Sequence, residues 1–212
     1  MIIAIDGPAG SGKSTVARRV AERLGFLYLD TGAIYRALTL RVIEKKISPD
    51  DDCRIIAEAK AVEIEFRQGK VFLDGIDVTE SIRHPRVDRC ISRVAGIPEV
   101  RAELVRLQQQ MGSRSDCVVE GRDTTTVVFP EAELKIYLDA LLGERTRRRM
   151  GDFKAKQIAV DAPTLEQDLK RRDDADISRA IGALRKAEDA VYIDTTEFSI
   201  EQVVEKVCAL IT

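Results

Sequence analysis

The sequence predicts an α/β fold: a parallel five-stranded sheet with helices on both faces. Three observations predict it. Five short apolar runs recur along the chain, at residues 2–5, 26–29, 116–120, 134–138 and 190–193. Each is followed by turn or polar residues, as a strand buried on both faces of a parallel sheet should be. Between the runs lie amphipathic stretches with helical spacing, the alternation that builds βαβ units. A glycine-rich turn, Gly7 to Gly12, joins the first run to the first helix.

Taken in order, the run Ile2-Ile3-Ala4-Ile5 leads through Asp6 into that turn. Val16, Val20 and Leu24 then recur every four residues on one helix face, and Gly25 stands where glycine commonly ends a helix. Helical spacing returns at 34–45, 98–111, 141–149 and 200–210. Residues 62–66 and 71–73 flank Arg67-Gln68-Gly69-Lys70 and read as an antiparallel hairpin. A third short run, 76–78, follows the Asp74-Gly75 turn. This places a β-containing insertion over residues 47–89. The charged stretch 145–179 reads as helical with few core positions, either a solvated helix pair or a mobile lid. A single domain is expected, with its core at 1–46, 90–144 and 180–212.

Bulk composition excludes several classes of function. With 34 Lys and Arg against 36 Asp and Glu, net charge gives no reason to expect nucleic acid or a membrane surface as partner. Cys53, Cys90, Cys117 and Cys208 lie far apart without a CxxC pair, and His84 is the single histidine. Neither a structural zinc site nor a disulfide framework is expected. The N-terminus enters an apolar strand without a basic leader, and no apolar run reaches the ~20 residues of a membrane span. The expected location is the cytoplasm.

Gly7-Pro8-Ala9-Gly10-Ser11-Gly12-Lys13-Ser14 fits G-x-x-x-x-G-K-[ST] between a strand and a helix, with Thr15 following. In that context the loop's N–H groups can turn inward around phosphate oxygens, aided by the positive helix N-terminus. Lys13 is expected at the β- and γ-phosphates of ATP, and Ser14 at Mg²⁺. The fold is therefore of the P-loop NTPase type. The chain has no asparagine, so the NKxD guanine-recognition motif is absent, and no aspartate is followed three residues later by glycine. No LSGGQ signature occurs either. Small-molecule kinases remain. An anionic acceptor needs cations of its own, and arginines cluster after the predicted strands: Leu29-Asp30-Thr31-Gly32-Ala33-Ile34-Tyr35-Arg36, Gly121-Arg122-Asp123, and Arg172 to Arg179. Ligands of open parallel sheets bind at the carboxyl ends of the strands, so 30–36 and 121–123 are expected to face the phosphate loop.

These motifs are collinear with one family. GPAGSGKST, LDTGAIYR, Ile91-Ser92 with Pro98 to Arg101, EGRD followed by TVVFP, and RDDADISR together resemble the bacterial cytidylate kinases over essentially the whole chain. The resemblance implies that the hairpin insertion binds the nucleoside monophosphate and that the stretch 145–179 is a helical lid. It implies transfer of the ATP γ-phosphoryl group to CMP or dCMP by a monomer. The acceptor phosphate would lie near Thr31, Arg36, Arg122 and Arg179, with Gly121 in the same loop and Tyr35 nearby. Cytosine would be read by Ser92, Arg101 and Asp123, and the ribose approached by Arg172 and Asp176. A carboxylate beside a guanidinium suits the exocyclic amine of cytosine, whereas uracil would present a carbonyl to the same acceptor. Arg148 and Arg149, or Arg172, would stabilise the transferring group alongside Lys13, and no general base is required because the acceptor is already an oxyanion.

The chain departs from the family pattern at Thr31, where serine is usual, and at Thr125 within Thr124-Thr125-Thr126, where glycine is more frequent. Ala175 and Ile177 stand where some relatives carry arginine. Two other readings remain open: a kinase for another small acceptor such as UMP, dTMP or shikimate, and a nucleotide-dependent regulatory protein without transfer.

Overall fold

A computed structural model describes residues 1–67, 69–155 and 159–211. In chain order the elements are β1 (Ile2–Asp6), α1 (Lys13–Leu24), β2 (Leu27–Asp30), α2 (Thr31–Glu44), α3 (Asp52–Ala61), β3 (Ile64–Arg67), β4 (Lys70–Leu73), β5 (Ile76–Asp77), α4 (Pro85–Ala95) and α5 (Pro98–Gly112). There follow β6 (Cys117–Gly121), β7 (Leu134–Asp139), α6 (Leu142–Ala155), α7 (Ala162–Ile177), β8 (Val191–Asp194) and α8 (Ile200–Cys208). A 3₁₀ turn at Ser81–Arg83 and a π-helical turn at Thr124–Val128 complete the list.

Contacts divide the chain into two compact units, residues 1–28 with 115–212, and residues 29–114. In the first, the sheet order is β2-β6-β1-β7-β8. β1 pairs in parallel with β6, from Ile2 opposite Cys117 to Asp6 opposite Gly121, and with β7 on its other edge. β7 in turn pairs in parallel with β8. Central β1 and β6 are the apolar runs the sequence shows, with Ile3, Ala4, Ile5, Val118 and Val119 fully buried. Val16, Val20 and Val203, Val204, Val207 bring the apolar faces of α1 and α8 into the same core. The predicted five-stranded parallel sheet is therefore present, each strand within a residue or so of its apolar run.

The second unit, residues 29–114, includes the stretch 47–89. The hairpin exists: β3 and β4 pair antiparallel from Ile64 opposite Leu73 to Arg67 opposite Lys70, and β5 adds a third strand. Gln68 of the turn lies outside the described residues. The hairpin is grouped with α2, α3, α4 and α5, where Ile34, Leu38, Ile55, Ile82, Val87 and Leu104 are fully buried. The boundary falls there because helix–helix packing, not the strands, gives this unit its core: α2 packs on α4, and α3 on α5. Asp30 caps α2, its carboxylate accepting from Ala33 N at 2.9 Å. The stretch 145–179 forms most of α6 and α7, and residues 156–158 between them lie outside the described residues.

Candidate active site

In the first unit the carboxyl end of β1 runs straight into the phosphate loop. Gly7 begins it because nothing larger fits: a Cβ there would stand 2.0 Å from the Leu138 carbonyl oxygen. Gly12, at φ 90°, ends it in the left-handed region and supplies α1 with an N-cap that has no side chain. The first N–H groups of α1 are thus left for an anion. Lys13 is buried and folds back over the loop, its Nζ donating to the Pro8 carbonyl at 3.0 Å. Burial, with the Arg122 and Arg172 guanidinium groups adding to it, depresses Lys13 to about 7. A cation held this close to neutrality is set to be recharged by a polyanion.

Ser14, the expected Mg²⁺ ligand, donates its hydroxyl hydrogen to Glu120 Oε1 at 2.6 Å. Tyr28 Oη reaches the same oxygen at 3.3 Å. Ser14 therefore keeps oxygen lone pairs free to face a cation. A hydroxyl and a carboxylate at one point are the hard oxygen donors that Mg²⁺ takes, completed by phosphate oxygens and water. Among the described residues no group of three or more His, Cys, Asp or Glu could hold a metal alone. Glu120 stands in the EGRD motif, yet sequence reasoning gave it no role. Its position beside β1, one residue before the strand end, was the available signal.

Two clamps brace the loop, Arg145 with Asp173 and Arg148 with Thr195, and both use residues that sequence reasoning passed over or assigned elsewhere. Arg145 Nη1 bonds the Ala9 carbonyl at 3.0 Å and Asp173 Oδ2 at 2.5 Å. Asp173 Oδ1 accepts from Ala9 N at 3.3 Å. Helices α6 and α7 thus hold both polar groups of one loop residue. Arg148 donates to the Ser11 carbonyl at 3.3 Å, to Thr195 Oγ1 at 2.9 Å and to the Thr195 carbonyl at 2.6 Å. Thr195 Oγ1 donates in turn to the Asp139 carbonyl at 2.9 Å, tying the loop to β7 and β8. Of the three consecutive arginines, Arg147 pairs with Glu144 on an exposed face, whereas Arg149 pairs with Asp152 and lies over Phe153. Arg148 alone is joined to the phosphate loop, as the divergent directions of neighbouring helical residues require.

The carboxyl end of β6 carries Gly121, Arg122 and Asp123. Arg122 Nε donates to Asp176 Oδ2 at 2.7 Å, and Arg179 Nη2 to Asp176 Oδ1 at 2.6 Å. Burial opposes charge on Arg122, but Asp176, Glu120 and Asp173 more than offset it and raise its pKa. Burial likewise works against Asp176 as a carboxylate, and Arg122, Arg179 and Arg172 still hold it below the usual range. Three residues the sequence assigns to the acceptor therefore form one charged cluster, with exposed Arg172 one helical turn before Asp176. Immediately beyond, Asp6 accepts four hydrogen bonds from Thr124 and Thr125, a contact between residues 118 and 119 positions apart.

In the second unit Arg36 pairs with Asp88 at 2.6 Å and donates to the Ile82 carbonyl at 3.3 Å. Arg101 is buried, its guanidinium 5.4 Å from the Tyr35 ring centroid, with Nη1 at 3.5 Å from the Ala95 carbonyl. Thr31 is buried at the start of α2, and Ser92 is exposed near the end of α4.

Comparison with known proteins now gives the family. The family model described as cytidylate kinase matches residues 3–212. A cytidylate kinase of Caldicellulosiruptor bescii is 46% identical over 98% of this chain and 94% of its own length. One of Carboxydothermus hydrogenoformans is 45% identical over 100% of this chain and 97% of its own. A bifunctional pantoate ligase/cytidylate kinase of Gloeobacter violaceus is 46% identical over 99% of this chain, which spans 42% of that longer protein. Among solved structures, a protein of Thermus thermophilus covers 100% of this chain and 98% of its own at a TM-score of 0.52 and 20% identity, a likeness of fold alone. The chain belongs to the cytidylate kinase family.

Proposed function

We propose that this enzyme transfers the γ-phosphoryl group of ATP to CMP or dCMP, giving ADP and CDP or dCDP. The observation that supports it most is the charged cluster Arg122–Asp176–Arg179 in the same unit as a complete phosphate loop with Lys13. The loop and the α1 N-terminus hold the ATP phosphates, with Arg145, Asp173 and Arg148 fixing the loop's own shape. Ser14 would hold Mg²⁺, with Glu120 orienting the Ser14 hydroxyl, and the ion would supply positive charge to the phosphates. By the family resemblance the first unit brings Gly121, Arg122, Asp123, Arg172, Asp176 and Arg179 to the acceptor; the second unit, taken by itself, carries Thr31, Tyr35, Arg36, Ser92 and Arg101. Guanidinium groups suit a phosphate because their planar fork matches its oxygens. In the first unit Asp123 reads the amine edge of cytosine.

In the transfer, an oxygen of the CMP phosphate bonds to the γ-phosphorus as the bond to the β,γ-bridging oxygen breaks, and ADP leaves with that electron pair. The attacking oxygen is already anionic, so the protein positions and neutralises charge rather than removing a proton. Lys13 and lid arginines supply that charge. A lid of α6 and α7 keeps water from the phosphoryl group. The reading also takes the enzyme as a monomer working in the cytoplasm on free nucleotides; among the described residues no helix is long and apolar enough to cross a membrane. Chromatography of an ATP, Mg²⁺ and CMP mixture should show CDP and ADP rising in equal amounts. ADP without CDP would contradict the proposal.

Lys13 adds a pH signature. In free enzyme it titrates at about 7, and bound phosphates raise that value. The charged form gains on binding, so ATP affinity is fully present below pH 7 and is lost as pH rises above it. At pH 8 binding should take up nearly one proton, measurable by calorimetry in buffers of different ionisation enthalpy. Binding at pH 8 without proton uptake would show that Lys13 is already charged.

A further inference from the structure

We propose that Asp6 and Thr125 are positioning residues that set the acceptor loop Gly121-Arg122-Asp123 against the start of the phosphate loop. The inference rests on the reading that Arg122 and Asp123 hold the acceptor. Asp6 is fully buried at the carboxyl end of β1, one residue before Gly7. Its Oδ1 accepts from Thr124 N at 2.9 Å and Thr124 Oγ1 at 2.7 Å. Its Oδ2 accepts from Thr125 N at 2.7 Å and Thr125 Oγ1 at 2.6 Å. Four donors converge on one carboxylate, the group that offers acceptors only.

The segment so held is not regular. Thr124–Val128 forms a π-helical turn, with Phe129 N bonding the Thr124 carbonyl at 2.8 Å and Val128 N the Asp123 carbonyl at 3.2 Å. Such single turns are rare overall and frequent at functional sites. Asp123, at φ −135° and ψ 24°, sits at its entry and is buried. The turn's own bonds hold its first carbonyls, and the two threonine hydroxyls and two N–H groups on Asp6 hold its N–H end. Gly7 is equally confined on the other side by the Leu138 carbonyl. One carboxylate thus joins the nucleotide loop to the residue expected to read the base. A glycine at 125 would keep the N–H bond to Asp6 and lose the hydroxyl.

Four variants test this by the separation of KM from kcat. Thr125→Val keeps the shape and removes the hydroxyl; it should raise the CMP KM about tenfold while the ATP KM and kcat change little. Thr125→Ser should restore the wild-type CMP KM. Thr125→Gly should resemble valine in CMP KM, and the ratio of CMP to UMP specificity should fall in both. Asp123→Asn tests the underlying reading on its own: an unchanged CMP KM there overturns the acceptor assignment. If Asp123→Asn raises the CMP KM but Thr125→Val lowers only Tm, Thr125 is structural and the proposal fails. A rise in ATP KM equal to that in CMP KM overturns it as well.

Discussion

Replacing Lys13 with methionine should lower kcat by about 10³-fold and, at neutral pH, raise Tm. The first effect follows from removing the cation nearest the transferring charge in a loop whose other contacts are intact. The second follows from the sign of its pKa shift. Burial holds Lys13 at about 7 in the fold, against the ordinary value of 10.5 in the unfolded chain. Between those values the unfolded state binds more protons, so this residue's contribution to stability improves as pH rises from 7 to 10.5 and is poorest below 7. Methionine fills the same volume without that cost and gives up only the bond to the Pro8 carbonyl. Activity lost while Tm rises is the expected pair, read by steady-state kinetics and thermal melts at pH 7. A variant that loses stability would show that the charge is well solvated in the free enzyme.

Arg122→Ala should act in the opposite sense on stability. Arg122 and Arg179 occupy the two oxygens of Asp176, whose side chain is 8% exposed. Breaking a buried pair by removing one partner leaves the other charge with less compensation and costs about 3 kcal/mol. The same change removes a guanidinium assigned to the acceptor phosphate, so CMP turnover at low substrate should fall by about 10²-fold or more, with ATP affinity largely kept. The double variant Arg122→Ala with Asp176→Ala should recover much of the stability and none of the activity. If the double variant recovers activity, the cluster is structural and the acceptor phosphate is held elsewhere.

The sheet and the phosphate loop were legible in the sequence because both are local. A strand such as β6, buried on both faces, must be apolar along its length, and the loop's chemistry lies within eight consecutive residues. Arg122 was legible after a strand, whereas Asp176 and Arg179 lie at the end of α7 and not after a strand. That the three form one ion cluster was not legible, because nothing in the order of residues says that Asp176 lies between the two guanidinium groups. The pairs that shape the site are long-range. Asp6 with Thr125, Ser14 with Glu120, and Ala9 with Asp173 are separated by 119, 106 and 164 positions. Thr125 departs from the family pattern, and the fold uses its hydroxyl as a bond to Asp6. The expected insertion over 47–89 was read from its strands; that α2 packs on α4 and α3 on α5 is long-range and has no signature in the order of residues.

The central claim is phosphoryl transfer to a cytidine monophosphate, and its most direct test is the specificity constant for CMP against UMP at saturating ATP and Mg²⁺. Uracil carries a carbonyl where cytosine has its amine, so Asp123 would face an acceptor it cannot bond. The account predicts that kcat/KM for CMP exceeds that for UMP by about 10²-fold or more. Equal values, or a preference for UMP, would contradict it.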